Sequence, residues 1–116
     1  MVKENYQTRA VYICSPYSGD IAKNVTAARR YCRFAVNKGC MPLAPHLLFP
    51  QFLNDAAPAE RRLGLAFGMA LMSLCSEVWV FGLAVSAGME AEIELAMRRD
   101  IRLRYFSENC EETHHG

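Results

Sequence analysis

Four short strand-like segments alternate with helical patterns along this chain, and that alternation constrains the fold most. The strand-like segments are residues 10–16, 40–45, 77–82 and 101–106. The helical patterns cover residues 19–39, 58–75 and 88–99. Strands that alternate with helices pair in parallel through right-handed crossovers. We therefore predict a single three-layer α/β domain, Rossmann-like or flavodoxin-like. Its parallel sheet has four or five strands, with residues 11–15 and 78–81 as adjacent central strands.

Length and composition restrict the class of protein. The 116 residues carry a net charge of +1 and are 52% hydrophobic, which fits one domain over residues 1–116, with its core at about 10–105 and a loose tail over 107–116. Near-neutral charge argues against nucleic-acid binding, and no apolar run approaches the roughly 18 residues of a membrane span. The five cysteines include no CxxC pair, and the first residues contain no signal-peptide core. We therefore expect a cytoplasmic protein.

Three loops are expected to meet at the carboxyl ends of the strands, where α/β sheets bind ligands. They span residues 15–20, 45–50 and 82–88. Ser18 and Gly19 precede the first long helix and Ser86 precedes the last, so the helix amides at both places are candidates for binding an anion. The alternative is that Ser18, Asp20 or Ser86 only caps a helix, and the cap is favoured for the first loop. Neither GxGxxG nor GxxxxGK(S/T) is present, so dinucleotide and NTP binding have no direct support.

Glu92 occupies an unusual position for an acidic residue. On a helix, Glu90 and Glu94 share the outward face, whereas Glu92 falls beside the apolar residues near the helix start. A carboxylate there is partly desolvated, although amphipathic helices also carry glutamates at the border of an apolar face. Glu77, at the start of the third strand, is a second acid near the same predicted pocket. Two carboxylates in different environments can divide into a nucleophile and an acid or base.

Two segments carry a resemblance to a known superfamily. The first is the frame Tyr12-x-x-Ser15-Pro16-x-Ser18-Gly19, and the second is EVWVFGLAVSAGMEAEIELA, residues 77–96. Together they resemble the nucleoside 2-deoxyribosyltransferase superfamily. The similarity is greatest to its 2′-deoxynucleoside 5′-phosphate N-hydrolase branch and to short bacterial and phage members with no assigned function. In the superfamily motif Ser/Asp-x-Gly-x-x-x-Glu-x-x-x-Ala, the matching positions here are Ser86, Gly88, Glu92 and Ala96.

The resemblance implies roles for individual residues. It makes Glu92 the nucleophile that attacks the anomeric carbon, and it makes Ser86, with Ser18 and Gly19, the binding site of a 5′-phosphate. Tyr12 is implied to line the sugar pocket. The strand-initial acid that assists base departure matches either Glu77 or the position of Ser76, where the superfamily usually has aspartate. Ser15 and Gly88 complete the implied substrate site. His46 is a further candidate for ligand contact, although a lone histidine between prolines is more often structural.

Two classes of function remain open. The leading prediction is an enzyme that cleaves the base–sugar bond of a (deoxy)nucleoside 5′-monophosphate, by hydrolysis or transfer. The alternative is a binding protein that senses or sequesters a nucleotide-derived ligand. Two acids near the pocket favour the enzyme, because a binder of anionic ligands gains nothing from them. Met89 and Glu94 depart from the superfamily pattern and favour the binder. A cytokinin-type phosphoribohydrolase is excluded because its PGGxGTxxE loop is absent.

The remaining expectations concern partners and cofactors. The apolar content and the resemblance predict a homodimer or a higher homo-oligomer. No cofactor is expected. Cys110, His114 and His115 lie in the predicted loose tail and do not by themselves predict a metal site.

Overall fold

The computed structural model describes residues 9–113 as a five-stranded sheet with helices on both faces. The strands are β1 (Arg9–Cys14), β2 (Cys40–Leu43), β3 (Glu77–Phe81), β4 (Arg102–Phe106) and β5 (Glu112–Thr113). The helices are α1 (Ile21–Asn37), α2 (Pro45–Leu48), α3 (Pro58–Met72) and α4 (Ala87–Arg98), with a 3-10 turn at Phe49–Gln51. The strand order is β2-β1-β3-β4-β5, and β5 alone among these strands runs antiparallel to its neighbour. The predicted α/β fold is confirmed.

β1 and β3 lie side by side at the centre of the sheet, as predicted. They pair in parallel, with Tyr12 opposite Val78 and Cys14 opposite Val80. Every residue of β3 is buried, and so is every residue of β1 after Arg9. Strands covered on both faces have no polar side, which explains their continuous apolar sequences. The strand order reverses between β1 and β3, so the loops after these two strands diverge at the carboxyl edge and leave a crevice there.

The side chains of the central strands alternate between two apolar clusters. The first cluster includes Tyr12, Cys14, Val80, Met72 of α3 and Met89 of α4. The second includes Val11, Ile13, Trp79, Phe81 and Tyr31 of α1. We call the two sides of the sheet the α4 face and the α1 face. A residue of β1 or β3 therefore belongs to one face or the other according to its position along the strand.

The apolar residues that recur at helical spacing in α3 lie mainly outside the core. Leu63 and Phe67, which continue the helical period in the sequence, are 45% and 40% exposed. The buried residues of α3 are Gly68 and Met72. Apolar residues therefore occur on both sides of this helix, and its periodicity alone does not identify the side that faces the sheet.

Residues 107–113 are not a loose tail, which corrects the sequence prediction for this segment. They form a hairpin in which Ser107 N donates to Glu111 O at 2.8 Å and β5 pairs with β4. Arg104 on β4 holds Glu112 on β5 through two hydrogen bonds of 2.7 and 2.8 Å. The polar composition of the segment hides this pairing, because the short edge strand faces solvent. The rest of the predicted tail, residues 114–116, lies outside the described residues.

No helix within residues 9–113 is both long and apolar enough to cross a membrane.

Candidate functional site

Glu92 lies on the second turn of α4, and both of its carboxylate oxygens accept a hydrogen bond from β1. The hydroxyl of Tyr12 donates to Oε2, and the thiol of Cys14 donates to Oε1 at 3.5 Å. Tyr12 and Cys14 are two positions apart, so both project onto the α4 face of the sheet. Cys14 is the last residue of β1, which places Glu92 at the carboxyl edge, where the ligand site was predicted.

Burial and hydrogen bonding act on Glu92 in opposite directions. Burial raises the pKa of the carboxyl group, while the hydrogen bonds from Tyr12 and Cys14 lower it; the net direction is upward. Burial and the neighbouring Glu92 carboxylate also raise the pKa of the Tyr12 hydroxyl and, well above its usual range, that of the Cys14 thiol. Both donors therefore keep their protons at neutral pH. The partly desolvated carboxylate predicted from the sequence is present.

Ser15 and His46 form a second polar pair at the same edge. Ser15 follows β1 directly and is buried, and its Oγ lies 2.8 Å from Nε2 of His46 in the short helix α2. Burial lowers the pKa of His46 to about 4, so the imidazole is neutral near pH 7. The ring of Tyr17 lies edge-on, 6.4 Å from that of His46. The structure thus brings together two of the predicted substrate-binding residues, next to Cys14.

The first loop is a helix cap in this structure, and the capping residue is Asp20. Its Oδ1 accepts a hydrogen bond from Lys23 N at 3.2 Å. Ser18 and Gly19 are exposed, and Gly19 has a φ of 97°, a conformation that favours glycine. The carbonyl oxygen of Ser18 accepts a hydrogen bond from Asn24 Nδ2 at 3.0 Å. Of the two interpretations of this loop, the helix cap is therefore observed, with Asp20 as the capping residue.

Ser86 caps α4 and is exposed to solvent. Its Oγ accepts a hydrogen bond from Met89 N at 3.3 Å, and its backbone is extended, as at most helix N-caps. Gly88 is exposed in the first turn, with open space where a side chain would begin. The hydroxyl oxygen is used by the cap, but the hydroxyl proton can still be donated to a ligand.

A cavity of about 670 Å³ lies on the α1 face of the carboxyl edge. It lies between α1 and the loops that follow β1 and β3. Pro16 of the first loop and Gly82 and Ala84 of the second line it. Tyr31 and Phe81, both buried, are among the residues that line it. Glu92 is not among the described residues that line it. The cavity marks the crevice between β1 and β3, whereas the carboxylate with its two donors lies on the opposite face.

Glu77 does not join Glu92, which corrects the predicted pair of carboxylates. It is the first residue of β3 and belongs to the α1 face, where Trp79 Nε1 donates to its Oε1 at 2.8 Å. Three arginines form ion pairs with it, Arg102 at 3.4 Å, Arg104 at 3.5 Å and Arg9 at 3.9 Å. Glu77 therefore lies at the amino end of the strand and on the other side of the sheet from Glu92. Its role is to hold the arginines of neighbouring strands.

Within the part of the chain that the structure describes, no three histidine, cysteine, aspartate or glutamate side chains come together as metal ligands. His114 and His115, which the sequence analysis considered with Cys110, lie outside the described residues.

Comparison with known proteins identifies the family of this chain. Residues 9–106 match a family described as "Domain of unknown function (DUF7768)". The chain belongs to this family. No curated protein matches it. Among solved structures, a 2-deoxyribosyltransferase from the psychrotolerant bacterium Bacillus psychrosaccharolyticus superposes on the DUF7768 chain with a TM-score of 0.66 and 15% sequence identity, covering 84% of this chain and 72% of that one. At this level of identity, the similarity shows a shared fold.

One contact in this DUF7768 chain was missed by the sequence analysis. The sequence assigns no role to Cys14, yet its thiol contacts the carboxylate of Glu92. The available signal was its position two residues after Tyr12 on the same strand, which places both side chains on one face. The partner on α4 is 78 positions away, and no local pattern identifies it.

Proposed function

We propose that this protein is an N-glycosidase that cleaves the base–sugar bond of a (deoxy)nucleoside 5′-monophosphate, with Glu92 as its nucleophile. The observation that carries the proposal is the arrangement around Glu92, a partly buried carboxylate at the carboxyl edge whose two oxygens each accept a hydrogen bond from β1. The fold shared with a 2-deoxyribosyltransferase supports it. The sequence motif that contains Ser86, Gly88 and Glu92 supports it independently.

The proposed reaction has two steps. In the first, one oxygen of Glu92 bonds to the anomeric carbon as the C–N bond breaks, and the base leaves with the bonding electron pair and takes a proton from solvent. In the second, water attacks the glycosyl ester, the carboxylate is restored, and the proton of the water returns to solvent. Tyr12 keeps the carboxylate oriented before the attack. Because Glu77 lies on the other face, it takes no part in the proton transfers.

The other predicted residues are assigned to substrate contact. The start of α4, with Ser86 and Gly88, is proposed to bind the 5′-phosphate through backbone amides and the serine hydroxyl. The start of α1 is the weaker candidate, because the Asp20 carboxylate already accepts a hydrogen bond from the amide of Lys23 and repels an anion. Ser18 and Gly19 are therefore proposed to make only secondary contacts with the phosphate, whose main contacts come from α4. The Ser15–His46 pair, neutral at pH 7, is proposed to contact the sugar or the base.

The test is a pair of matched glutamine variants on α4. Glu92→Gln keeps the shape of the side chain and removes its charge, and we expect base release to fall by about 1,000-fold or more while nucleotide binding persists. Glu90→Gln, on the exposed side of the same helix, serves as the control and should change release little. Chromatographic measurement of free base from a panel of ribo- and deoxyribonucleoside monophosphates gives the answer. Equal rates for wild type and Glu92→Gln would refute the nucleophile role.

A second candidate function is binding without turnover, and the position of Glu77 favours it. Two acids in one pocket favoured an enzyme, and of these two the structure leaves Glu92 at that site, because Glu77 pairs with arginines on the other face. A protein that only senses or sequesters a nucleotide-derived ligand needs a binding site for it but does not need a second acid as a proton donor. If the wild type binds monophosphates in calorimetry yet releases no base from any of the panel, this second function replaces the first.

A further inference from the structure

We propose that Cys14 is a positioning residue for Glu92, and that its thiol hydrogen bond keeps the carboxylate ionised and fixed in one orientation. For its effect on turnover this proposal rests on the function proposed above. Its effect on Glu92 itself does not depend on that function. The sequence motif that suggests the nucleophile does not include Cys14.

Both hydrogen-bond acceptors near the Cys14 thiol belong to α4. Cys14 is fully buried, and its Sγ lies 3.5 Å from Glu92 Oε1 and 3.9 Å from the carbonyl oxygen of Met89, one turn earlier on the helix. A carboxylate is the stronger of the two acceptors, so the thiol proton is donated mainly to Glu92. Since Tyr12 engages the other oxygen, the two donors together fix the plane of the carboxylate. One oxygen bonded alone would leave the group free to rotate.

Few of the described groups act on the ionisation of Glu92, so loss of the thiol hydrogen bond should change its pKa. Among the described residues, the titratable groups that act on Glu92 are Tyr12 and Cys14 of β1, and Cys75, after α3, acts on Tyr12. Burial raises the pKa of Glu92, and the two hydrogen bonds oppose that rise. Removing the thiol leaves burial opposed by Tyr12 alone. The pKa of Glu92 must then rise further, and the carboxylate becomes protonated at a higher pH.

The experiment compares variants that keep or lose the donor. Cys14→Ala and Cys14→Val both remove the hydrogen bond, and valine does so while filling the space that alanine leaves empty. Cys14→Ser keeps a donor at the same position. Cys75→Ala is the control, because Cys75 belongs to the same buried cluster but its thiol donates to the Leu71 carbonyl at 3.5 Å.

The readout is the protonation midpoint of Glu92, followed by the carboxyl ¹³C chemical shift in protein labelled at glutamate and assigned with Glu92→Gln. We expect the midpoint to rise by about 0.5 to 1 pH unit in Cys14→Ala and Cys14→Val, because a donor to the ionised form is lost. Cys14→Ser and Cys75→Ala should stay close to wild type. A midpoint in the alanine and valine variants equal to that of wild type would overturn the proposal, since a purely structural cysteine changes stability without changing this titration.

The kinetic arm separates this proposal from the proposed function. If the protein releases base, the acidic limb of its kcat/KM profile should move to higher pH in Cys14→Ala by the same amount as the midpoint, and Cys14→Ser should restore it. If the wild type releases no base, the N-glycosidase proposal fails, while the ¹³C titration still decides whether Cys14 sets the ionisation of Glu92.

Discussion

At the scale of single residues, burial decides which of the groups at the carboxyl edge carry charge. The Tyr12 hydroxyl and the Cys14 thiol stay protonated and His46 stays neutral, because each loses water of hydration on folding. Glu92 is the one among these four whose charged form is supported by hydrogen bonds. Glu92 is therefore a carboxylate beside neutral groups, which is compatible with the nucleophile role that we propose for it.

The depressed pKa of His46 predicts a pH dependence of stability. The unfolded chain binds a proton at this histidine below about pH 6.5, whereas the folded chain does so only near pH 4. The contribution of His46 is therefore fully present above about pH 6.5, and it is lost as the pH falls through 4. In His46→Gln we expect the loss of unfolding free energy between pH 6.5 and 4 to be smaller than in wild type by about 1–3 kcal/mol.

Urea unfolding followed by circular dichroism across this pH range checks the prediction. The difference between the two proteins isolates His46 from Glu92, whose raised pKa acts in the opposite direction on acidification. Parallel stability curves for wild type and His46→Gln would show that burial does not hold the imidazole neutral.

At the scale of elements, the starts of α4 and α1 differ in the charge of their caps, and α4 is the start that we propose binds an anion. It leads directly from the loop after β3 to Glu92, and its cap is a neutral serine, whereas the start of α1 is capped by the acidic Asp20. A helix start carries a partial positive charge and several amides that the helix does not use. A neutral cap leaves this potential available to a ligand, and an acidic cap cancels part of it.

Substitution of Ser86 separates capping from phosphate binding. We expect 2′-deoxynucleoside 5′-monophosphates to bind wild type more tightly than the corresponding nucleosides. Ser86→Asp keeps a side-chain cap but adds a negative charge, so it should remove that preference at little cost in stability. Ser86→Ala should lower the unfolding free energy by about 0.5–2 kcal/mol through loss of the cap and should weaken the preference less.

Calorimetric titration with matched nucleoside and monophosphate pairs measures the preference, with Ser18→Ala as a comparison at the other helix start. If wild type shows no preference for monophosphates, the phosphate assignment fails, even if a nucleoside binds.

At the scale of the whole molecule, several apolar side chains on α3 and near it are exposed on the monomer. Phe67 and Leu63 are 40% and 45% exposed, and Leu65 and Phe52 exceed 60%. The inner side of the same helix approaches the site, since a side chain at Gly68 would lie 3.6 Å from the Tyr12 hydroxyl oxygen. Exposed apolar side chains such as these commonly lie between subunits. We propose that α3 forms the interface of a homo-oligomer.

Phe67→Glu tests the interface. A charge among these apolar side chains should convert a dimer or higher oligomer to a monomer, because an unpaired buried carboxylate is costly. Ile21→Glu, on an exposed apolar residue at the start of α1, is the control and should leave the assembly unchanged. Sedimentation velocity gives the mass of each species. A wild type that sediments as a monomer at all concentrations would refute the proposal.

The sequence by itself determined the layout of the fold and the unusual position of Glu92. Alternation of short apolar segments with helical patterns indicated the parallel sheet and the adjacency of β1 and β3, because those patterns reflect burial within one element. Spacing along one helix likewise separated Glu92 from Glu90 and Glu94. Each of these inferences depends on residues within a few positions of one another.

Only the tertiary structure decided which of these residues meet. Glu77 lies on the α1 face and Glu92 on the α4 face, a distinction that requires knowing which helix covers which side of the sheet. The contact between Cys14 and Glu92, and the hairpin of residues 107–113, depend on packing between separate elements. Periodicity states that a side chain is buried but not against what, because the partner is chosen by the path of the whole chain.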